Sequence, residues 1–355
     1  MGMSNSTGMQ PVRVGVVGLG KGYSHALAYH ENSNSILCGL CDIDKEKVAS
    51  TAEKLGAKYT FSDPYEFFRS GEIDAVSIAT PNVSHHDLTL AALEEGLHVL
   101  CEKPLALNAY QATEMDQVAK ASGKVLMVNY NYRFTPVSQA LKSFTLENKL
   151  GKIYFARSVW HRSRGIPGLG GWFTSKNKSG GGPLIDLGVH RLDLALWFMN
   201  FPEIQSVNGA TYGDLGKNYA NKVKSSFDVE DLAVGFIRFK NGATLVLETS
   251  WALNRPESEL METYIYGTEA GLVQRNINNN YEFEGEFYSE NSEGSFLVTK
   301  VKPGFRHQVS SQDEFLASIV ERRDSSAPAS QAVTAMRIID GIYESAEKGR
   351  EIYFD

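Results

Sequence analysis

The spacing of apolar residues divides the chain into two parts with different patterns. Between Val12 and Tyr132, short apolar runs alternate with stretches in which apolar residues recur every three or four positions, which predicts alternating strands and helices. This order is typical of a parallel sheet covered by helices on both faces. Strands are predicted at Val12–Gly18, Ile36–Asp42, Ala75–Thr80, Val99–Lys103 and Val125–Tyr132, and helices at Lys21–Glu31, Asp44–Leu55, Ser84–Glu95 and Asn108–Ala121.

After Tyr132 the pattern changes, and strands predominate. One long apolar stretch, Pro183–Met199, predicts a buried helix, and two alternating runs joined by Asn241-Gly242 predict a hairpin. We therefore predict an α/β chain with a doubly wound parallel sheet in residues 10–133. Residues 134–355 are predicted to form an α+β domain with a large, mostly antiparallel open sheet, and residues 1–9 a disordered tail.

Composition narrows the function classes. The chain has 355 residues, 42% of them apolar, and a formal net charge of −7 without a basic block, which argues against sequence-independent nucleic-acid binding. Neither a secretory leader nor an apolar run of membrane-spanning length is evident. Three cysteines form no disulfide framework. We predict a cytoplasmic protein without a membrane partner.

The first strand runs into a glycine turn, "VVGLGKGYSH". This turn is similar to the fingerprint G-x-G-x-x-G, in which the backbone approaches a pyrophosphate at a helix N-terminus. The third glycine comes one residue early, so we expect the close contact between helix and strand to be arranged differently there. An ordinary turn between strand and helix is the alternative. The predicted cofactor-binding residues of the turn are Gly18, Leu19, Gly20, Lys21 and Gly22.

Asp42 ends the second strand, about 20 residues after the glycine turn, where a carboxylate binds the adenosine ribose. Ile43 follows it instead of an arginine, so a 2′-phosphate would meet like charge. The sequence therefore favours NAD over NADP. Lys45 and Lys47 are near enough to complicate this choice.

Two further strand ends carry polar residues. The third predicted strand breaks at Thr80-Pro81-Asn82 and is followed by His85, and the fourth ends at Glu102-Lys103. Ligands of such sheets bind beyond the carboxyl ends of the strands. We therefore predict cofactor contacts from Thr80, Pro81, Asn82, His85, Glu102 and Lys103, while a surface lysine is the alternative for Lys103.

The stretch "GGGPLIDLGVHRLD" places Asp186, His190 and Asp193 on one face of the predicted helix. Gly188 lies between them, where it would let another group approach closely. A structural interpretation is also open: Asp186 favours the helix dipole, His190 is a core histidine, and Asp193 pairs with Arg191 or a more distant base.

The segment between Trp160 and Gly182 is rich in glycine, basic and aromatic residues, a composition that suits a loop over a pocket. We predict that Arg162 and Trp172 bind substrate, Trp172 by stacking on a sugar ring or the nicotinamide. The alternative is that Trp172 closes a small core and the arginine lies at the surface.

Together these residues resemble the family of glucose-fructose oxidoreductase, inositol dehydrogenase and their MocA-like relatives. The resemblance rests on the glycine turn, "DAVSIATPNVSHH", "EKPLAL", "GGGPLIDLGVHRLD" and the C-terminal "RIIDGIYESAEKGREI", and so spans nearly the whole chain. It implies a Rossmann domain, a hydride transfer between NAD and a hydroxyl of a sugar, polyol or sugar derivative, and a homodimer or homotetramer built through the C-terminal sheet. The family's catalytic set maps onto Lys103, Asp186 and His190.

Hydride transfer from a carbinol needs a proton acceptor at its oxygen. We predict that His190 takes the proton, Lys103 stabilises the developing alkoxide, and Asp186 orients the substrate or the imidazole. Asp193 is expected to be structural. Two rival hypotheses remain: a metal site on Asp186 and His190, which we do not expect because a third ligand is not evident, and a non-catalytic nucleotide-binding sensor of the same fold.

Overall fold

The computed structural model describes residues 10–301 and 309–355; the predicted tail, 1–9, lies outside them. The described residues cluster into two compact units, one of residues 10–106, 110–129 and 309–330 and one of residues 107–109, 130–301 and 331–355. Each unit contains one sheet.

The elements of the described residues are numbered in chain order. The strands are β1 (Val12–Val17), β2 (Ser35–Cys41), β3 (Tyr59–Phe61), β4 (Ala75–Ile78), β5 (His98–Cys101), β6 (Leu126–Val128), β7 (Ile153–Arg162), β8 (Ile204–Tyr212), β9 (Leu232–Phe239), β10 (Thr244–Ser250), β11 (Glu259–Gly267), β12 (Ala270–Ile277), β13 (Glu282–Glu290), β14 (Phe296–Val301) and β15 (Ile352–Tyr353). The α-helices are α1 (Gly22–Glu31), α2 (Lys45–Leu55), α3 (Pro64–Phe68), α4 (His85–Glu94), α5 (Ala109–Ser122), α6 (Pro136–Leu146), α7 (Lys176–Ser179), α8 (Val189–Phe198), α9 (Asp214–Lys222), α10 (Ser311–Glu321) and α11 (Ala329–Lys348).

The first sheet has the strand order β3-β2-β1-β4-β5-β6, and all its neighbouring pairs are parallel. Its central strands are buried along most of their length, as Val14, Val16 and Val76 show, which is why their sequences are nearly continuous apolar runs. The strand order reverses between β1 and β4. Ligand sites of such sheets lie at this point, beyond the carboxyl ends of the strands.

Local signals set the bounds of the helices. The Asp44 side chain accepts a hydrogen bond from Lys47 N at 3.0 Å at the start of α2, and Gly56 ends the helix with a φ of 69°. Both are ordinary capping arrangements. The short elements β3 and α3 were not predicted. The fifth predicted strand is shorter than expected, because a 3₁₀ turn at Asn131–Phe134 follows β6.

Residues 309–330 belong to the first compact unit, although the predicted division after residue 133 assigned them to the second domain. Helix α10 of this segment begins with a capping box between Ser310 and Asp313. The Asp313 carboxylate also accepts a hydrogen bond from Asn32 Nδ2 at 2.6 Å. The chain therefore returns to the parallel sheet near its end, which the local pattern does not reveal.

The second sheet has the order β14-β13-β12-β11-β7-β10-β9-β8-β15. Among the described strands its pairs are antiparallel except for β7 with β10, as the pattern predicted. The predicted hairpin joins β9 to β10, and Gly242 at its turn has a φ of 86°. Helix α8 packs on one face of this sheet, where Ser158 Oγ of β7 donates to the Arg191 carbonyl at 2.9 Å.

Candidate active site

The glycine turn follows β1 and has three glycines with different constraints. Gly18 has a φ of 87°, and a Cβ there would lie 2.6 Å from the Ala79 carbonyl oxygen. Apart from Gly20 and its two chain neighbours, no atom of the described residues lies within 4 Å of a Cβ built on Gly20. The exposed backbone at Gly20 therefore leaves room for a phosphate group.

Gly22 corrects one expectation. A Cβ on this residue would lie 2.9 Å from Val16 Cγ1 and 3.2 Å from Ala79 Cβ. Although it comes one residue early, Gly22 permits the close contact between helix and strand that the third glycine of the fingerprint normally permits.

The Asp42 carboxylate is held at the glycine turn by hydrogen bonds. Its Oδ2 accepts a hydrogen bond from Leu19 N at 2.6 Å, and its Oδ1 accepts one from Asp44 N at 3.0 Å. The carboxylate is half-buried and keeps lone pairs for a further donor. The Leu19 side chain is buried, and Lys21 is exposed. An open glycine turn beside an anchored carboxylate fits a dinucleotide, and the ribose contact of Asp42 stays a prediction.

His85 joins two turns at the same sheet edge. Its Nδ1 lies 2.8 Å from the Pro104 carbonyl oxygen, and its Nε2 lies 2.9 Å from that of Thr80. The ring is fully buried, and burial lowers the pKa of His85 although the two carbonyls oppose this change. Because the ring is buried and both ring nitrogens face carbonyl oxygens, His85 can influence the cofactor only indirectly, by positioning the two turns that it connects. Asn82 is buried and Pro81 is exposed.

Glu102 is a buried carboxylate with an extensive set of donors. It accepts hydrogen bonds from Asn129 Nδ2 at 2.7 Å and from Lys103 N at 3.1 Å, and His25 Nε2 lies 3.0 Å from its Oε1. Burial alone would raise the pKa of Glu102, but these partners outweigh it and lower the pKa to about 2. Glu102 therefore fixes the backbone of Lys103, whose own side chain is half-buried. No local sequence signal marks His25 for this role, because Glu102 lies 77 positions away.

In the second unit, the three glycines before the helix, Gly180 to Gly182, pack tightly against neighbouring groups. Gly180 has a φ of 87°, a Cβ on Gly181 would collide with the Tyr343 hydroxyl, and one on Gly182 would collide with the Glu230 carbonyl. Similarly, a Cβ on Gly188 would press on Leu184 and on Thr249 of β10 at 3.2 Å each. These glycines bring the segment close to its own unit.

Glu230 holds the start of this segment. Its buried carboxylate accepts hydrogen bonds from Gly182 N at 2.9 Å, Leu184 N at 3.0 Å and Tyr343 Oη at 2.9 Å. It thereby satisfies amide groups that a helix N-terminus leaves without partners. No local signal marked Glu230, because its partners lie far away in sequence.

The predicted continuous α-helix is wrong at its start. Leu184–Gly188 form a π-helical turn, which passes into α8; such turns are frequent at functional sites. The α-helical spacing that was assumed for Asp186, His190 and Asp193 therefore does not hold across this turn. Asp186 accepts a hydrogen bond from Trp251 Nε1 at 3.0 Å, whereas Asp193 forms a buried ion pair with Arg133, with 2.8 Å between Arg133 Nε and Asp193 Oδ2. Burial raises the pKa of Asp193 against the opposing effect of Arg133.

His190 lies against aromatic rings. We call Tyr132, Trp160 and Phe283 the aromatic wall. The His190 ring is edge-on to Tyr132 at 5.0 Å between centroids and tilted against Trp160 at 5.7 Å. Trp160 and Phe283 each lie 5.5 Å from Tyr132. The imidazole is thus packed in one orientation, with 8% of the residue exposed.

A polar network borders the aromatic wall. Glu259 accepts hydrogen bonds from Trp160 Nε1 at 2.7 Å, Arg162 Nε at 3.0 Å and Tyr281 Oη at 3.1 Å. Burial opposes the charge of Arg162, but nearby groups that include Glu259 and Asp186 raise its pKa. Trp172 is half-buried and stacks on Phe173 at 3.7 Å.

In the part of the chain that the structure describes, no cluster of three or more His, Cys, Asp or Glu side chains could hold a metal ion. Over the same residues, no helix is both long and apolar enough to span a bilayer.

Comparisons with known proteins identify the chain's relatives. A model of the oxidoreductase family with an NAD-binding Rossmann fold matches residues 12–130, and one of the GFO/IDH/MocA C-terminal domain matches residues 138–273. D-glucoside 3-dehydrogenase of Escherichia coli K12 is 32% identical over 359 residues, which cover 99% of each chain. Levoglucosan dehydrogenase of Pseudarthrobacter phenanthrenivorans is 30% identical over 75% of this chain and 74% of its own.

Solved structures share the fold. An oxidoreductase domain protein from Kribbella flavida has a TM-score of 0.85 at 23% identity, covering 98% of this chain and 100% of its own. A levoglucosan dehydrogenase in complex with NADH and L-sorbose has a TM-score of 0.84 at 24% identity, with the same coverage. The predicted fold class, NAD cofactor and class of enzyme are confirmed. The chain therefore belongs to the GFO/IDH/MocA family and is an NAD-binding oxidoreductase.

Proposed function

We propose that this protein is a dehydrogenase that oxidises a secondary ring hydroxyl of a glucoside. The end-to-end similarity to a D-glucoside 3-dehydrogenase is the observation that carries the substrate class. A myo-inositol 2-dehydrogenase, a relative with a different substrate, matches over about two thirds of the chain.

His190 is the proposed proton acceptor. NAD, when bound, accepts the hydride that leaves the carbinol carbon. His190 takes the hydroxyl proton, so the alcohol loses a hydride and a proton and becomes a ketone. Edge-on packing against Tyr132 fixes the imidazole, which limits the loss of orientation before proton transfer.

Lys103 and Asp186 support this transfer in the proposal. The positive charge of Lys103 stabilises the developing alkoxide, while the hydrogen bond of Lys103 N to Glu102 fixes its backbone. Asp186 is oriented by Trp251 and hydrogen-bonds the substrate or the imidazole. Arg162 and Trp172 are the proposed sugar contacts, Arg162 by donating to hydroxyl oxygens and Trp172 by stacking.

A matched substrate pair tests the proposal. Methyl β-D-glucoside and its 3-deoxy analogue are incubated with NAD, and the nicotinamide absorbance is followed. We expect turnover of the glucoside and none of the 3-deoxy sugar. His190→Asn is expected to lower the rate on the glucoside by roughly 10²–10⁴-fold. Turnover of the 3-deoxy sugar would move the reacting position elsewhere on the ring. Absence of turnover across glucosides, inositols and sugar acids, with tight NADH binding, would favour the sensor hypothesis.

We also infer that two copies of the chain associate through the second sheet. The face opposite α8 carries half-buried apolar residues, among them Phe155 and Tyr266, which stack at 5.6 Å. Tyr264 lies 6.0 Å from Tyr266 on the same strand. A sheet with one face covered needs a partner for an apolar second face. Tyr266→Glu is expected to shift the sedimentation coefficient to that of a monomer, whereas Tyr110→Glu, at an exposed position of the first unit, leaves it unchanged.

A further inference from the structure

Arg191, the residue after His190, is an unusual buried cation. None of the residue is exposed, although guanidinium groups are almost never fully buried without an acidic partner. Its Nη1 donates to Gln274 Oε1 at 2.7 Å, and Thr263 Oγ1 lies at 3.4 Å. Among the described residues, Nε and Nη2 have no hydrogen-bond acceptor.

The guanidinium lies against the aromatic wall. Its carbon is 5.1 Å from the ring centroid of Tyr132, 5.6 Å from that of Trp160 and 5.3 Å from that of Phe283. These distances suit cation–π attraction. No carboxylate of the described residues forms an ion pair with Arg191, whereas the nearby Arg133 is paired with Asp193.

Burial of this charge is costly. It lowers the pKa of Arg191 to about 10, which still leaves the side chain protonated at neutral pH. Replacing buried ionic groups with apolar side chains of similar volume is often neutral or stabilising. Stability alone therefore gives a poor account of a cation at this position.

The distances connect Arg191 to His190. Both groups lie about 5 Å from the centre of the Tyr132 ring, so the guanidinium carbon and the imidazole centre are at most about 10 Å apart. We propose that Arg191 is a positioning residue whose buried charge keeps His190 neutral and ready to accept the substrate proton. This inference rests on the proposed function, in which His190 is the base.

The other charged groups near His190 differ from Arg191. Those on the elements that pack against α8 are Asp186 on the π-helical turn, Arg133 beside Tyr132, Arg157, His161 and Arg162 on β7, and Glu259 and Glu262 on β11. Arg133 pairs with Asp193, Arg162 with Glu259 and Arg157 with Glu248, so their fields are partly cancelled. The same pairing weakens the field of Glu259, and Glu262 lies 4.0 Å from Arg157. Asp186 is therefore the main carboxylate that favours protonation of His190, and Arg191 opposes it.

The experiment measures the acid limb of kcat/KM against pH. A unit charge about 10 Å away, at an effective dielectric constant of about 20, shifts a titration by roughly one pH unit. Arg191→Met is therefore expected to move the acid limb upward by about one unit, with an equal or higher Tm. Arg191→Lys keeps the positive charge and is expected to leave the acid limb in place. Arg157→Met, which removes a partly exposed arginine paired on the opposite sheet face, leaves the limb in place.

A readout independent of turnover covers the case in which Arg191→Met does not fold. The His190 ring is titrated by NMR in histidine-labelled protein, with His190→Asn assigning the signal and Arg191→Gln as the second neutral variant. A titration that moves upward in the neutral variant but not in Arg191→Lys supports the proposal. An unchanged titration, an unchanged acid limb, or a ring that stays neutral in all variants overturns it. These outcomes leave the proposed function intact, because that function is tested separately, by the turnover of glucosides and by the loss of rate in His190→Asn.

Discussion

The two units place their candidate residues in different ways. In the first unit they occupy consecutive turns at the ends of neighbouring strands, such as Gly18 to Gly22 after β1 and Glu102-Lys103 after β5. In the second unit, the surroundings of His190 come from separate elements, with Tyr132 before α6, Trp160 on β7 and Phe283 on β13.

The difference has a physical origin. A parallel sheet brings the carboxyl ends of its strands to one edge through backbone pairing alone, so short local motifs suffice to build a site there. A wall of packed rings depends on side-chain complementarity between residues distant in sequence. The first kind of site can be recognised from motifs, and the second requires the fold.

The largest expected effects come from one residue in each unit. Lys103→Met and His190→Asn are each expected to lower kcat by about 10²–10⁴-fold, because both residues are proposed to assist the same proton transfer, and NADH affinity is expected to stay within a few-fold. The double variant is expected to lose far less than the product of the two. The control is His86→Asn, which replaces a histidine that is paired with Asp87 and Glu114. The assignment fails if either variant keeps more than about a tenth of the rate.

Glu102→Gln tests how the first unit holds the Lys103 turn. The folded pKa of Glu102, about 2, lies below its ordinary value of 4.5. The charged form therefore contributes stability that is fully present above about pH 4.5 and is lost as the pH falls toward 2. At pH 7 the free energy of unfolding of the variant is expected to be lower by roughly 2–4 kcal/mol, because the substitution removes the ionised partner of a buried hydrogen-bond cluster.

Urea denaturation at several pH values measures this difference. We expect the gap between wild type and Glu102→Gln to narrow between pH 4.5 and pH 2, whereas Glu95→Gln, at an exposed carboxylate, shows no comparable gap. A gap that widens on acidification would contradict the lowered pKa.

Asp42→Ala tests whether the anchored carboxylate binds the adenosine ribose of the cofactor. Loss of a charge-assisted hydrogen bond is expected to weaken NADH binding by roughly 1.5–3 kcal/mol in a fluorescence titration, with a smaller effect on NADPH. Asp63→Ala removes a helix-capping carboxylate of the same unit, where Asp63 accepts a hydrogen bond from Tyr65 N at 2.8 Å. This control lowers stability without changing NADH affinity. Equal or reversed affinities for NADH and NADPH in the wild type would refute the cofactor preference.

Two glycines of one turn give the finest comparison. Gly22→Ala places a methyl group 2.9 Å from Val16 Cγ1 and is expected to lower the free energy of unfolding by about 1–3 kcal/mol through overpacking. Gly20→Ala meets open space and is expected to leave unfolding almost unchanged while weakening NADH binding. Thermal unfolding and NADH titration of both variants check this. Equal losses of stability would show that the packing contrast is wrong.

Much of the first unit could be predicted from the sequence. Strands, helices, the glycine turn, Asp42 and the Glu102-Lys103 turn all carry local signals in residue type and spacing, and the family was identified from them. The cytoplasmic location, the domain division after residue 133 and the individual site roles stay predictions.

Tertiary structure alone decided the partners. Glu230 holds Gly182 from 48 positions away, Asp193 pairs with Arg133 rather than with Arg191, and Gly22 replaces the expected third glycine by packing on Val16 and Ala79. Local propensity determines which element a segment forms, since backbone conformation and side-chain period are properties of neighbouring residues. Which buried charge meets which partner depends on the packing of segments distant in sequence, and no periodicity along the chain records it.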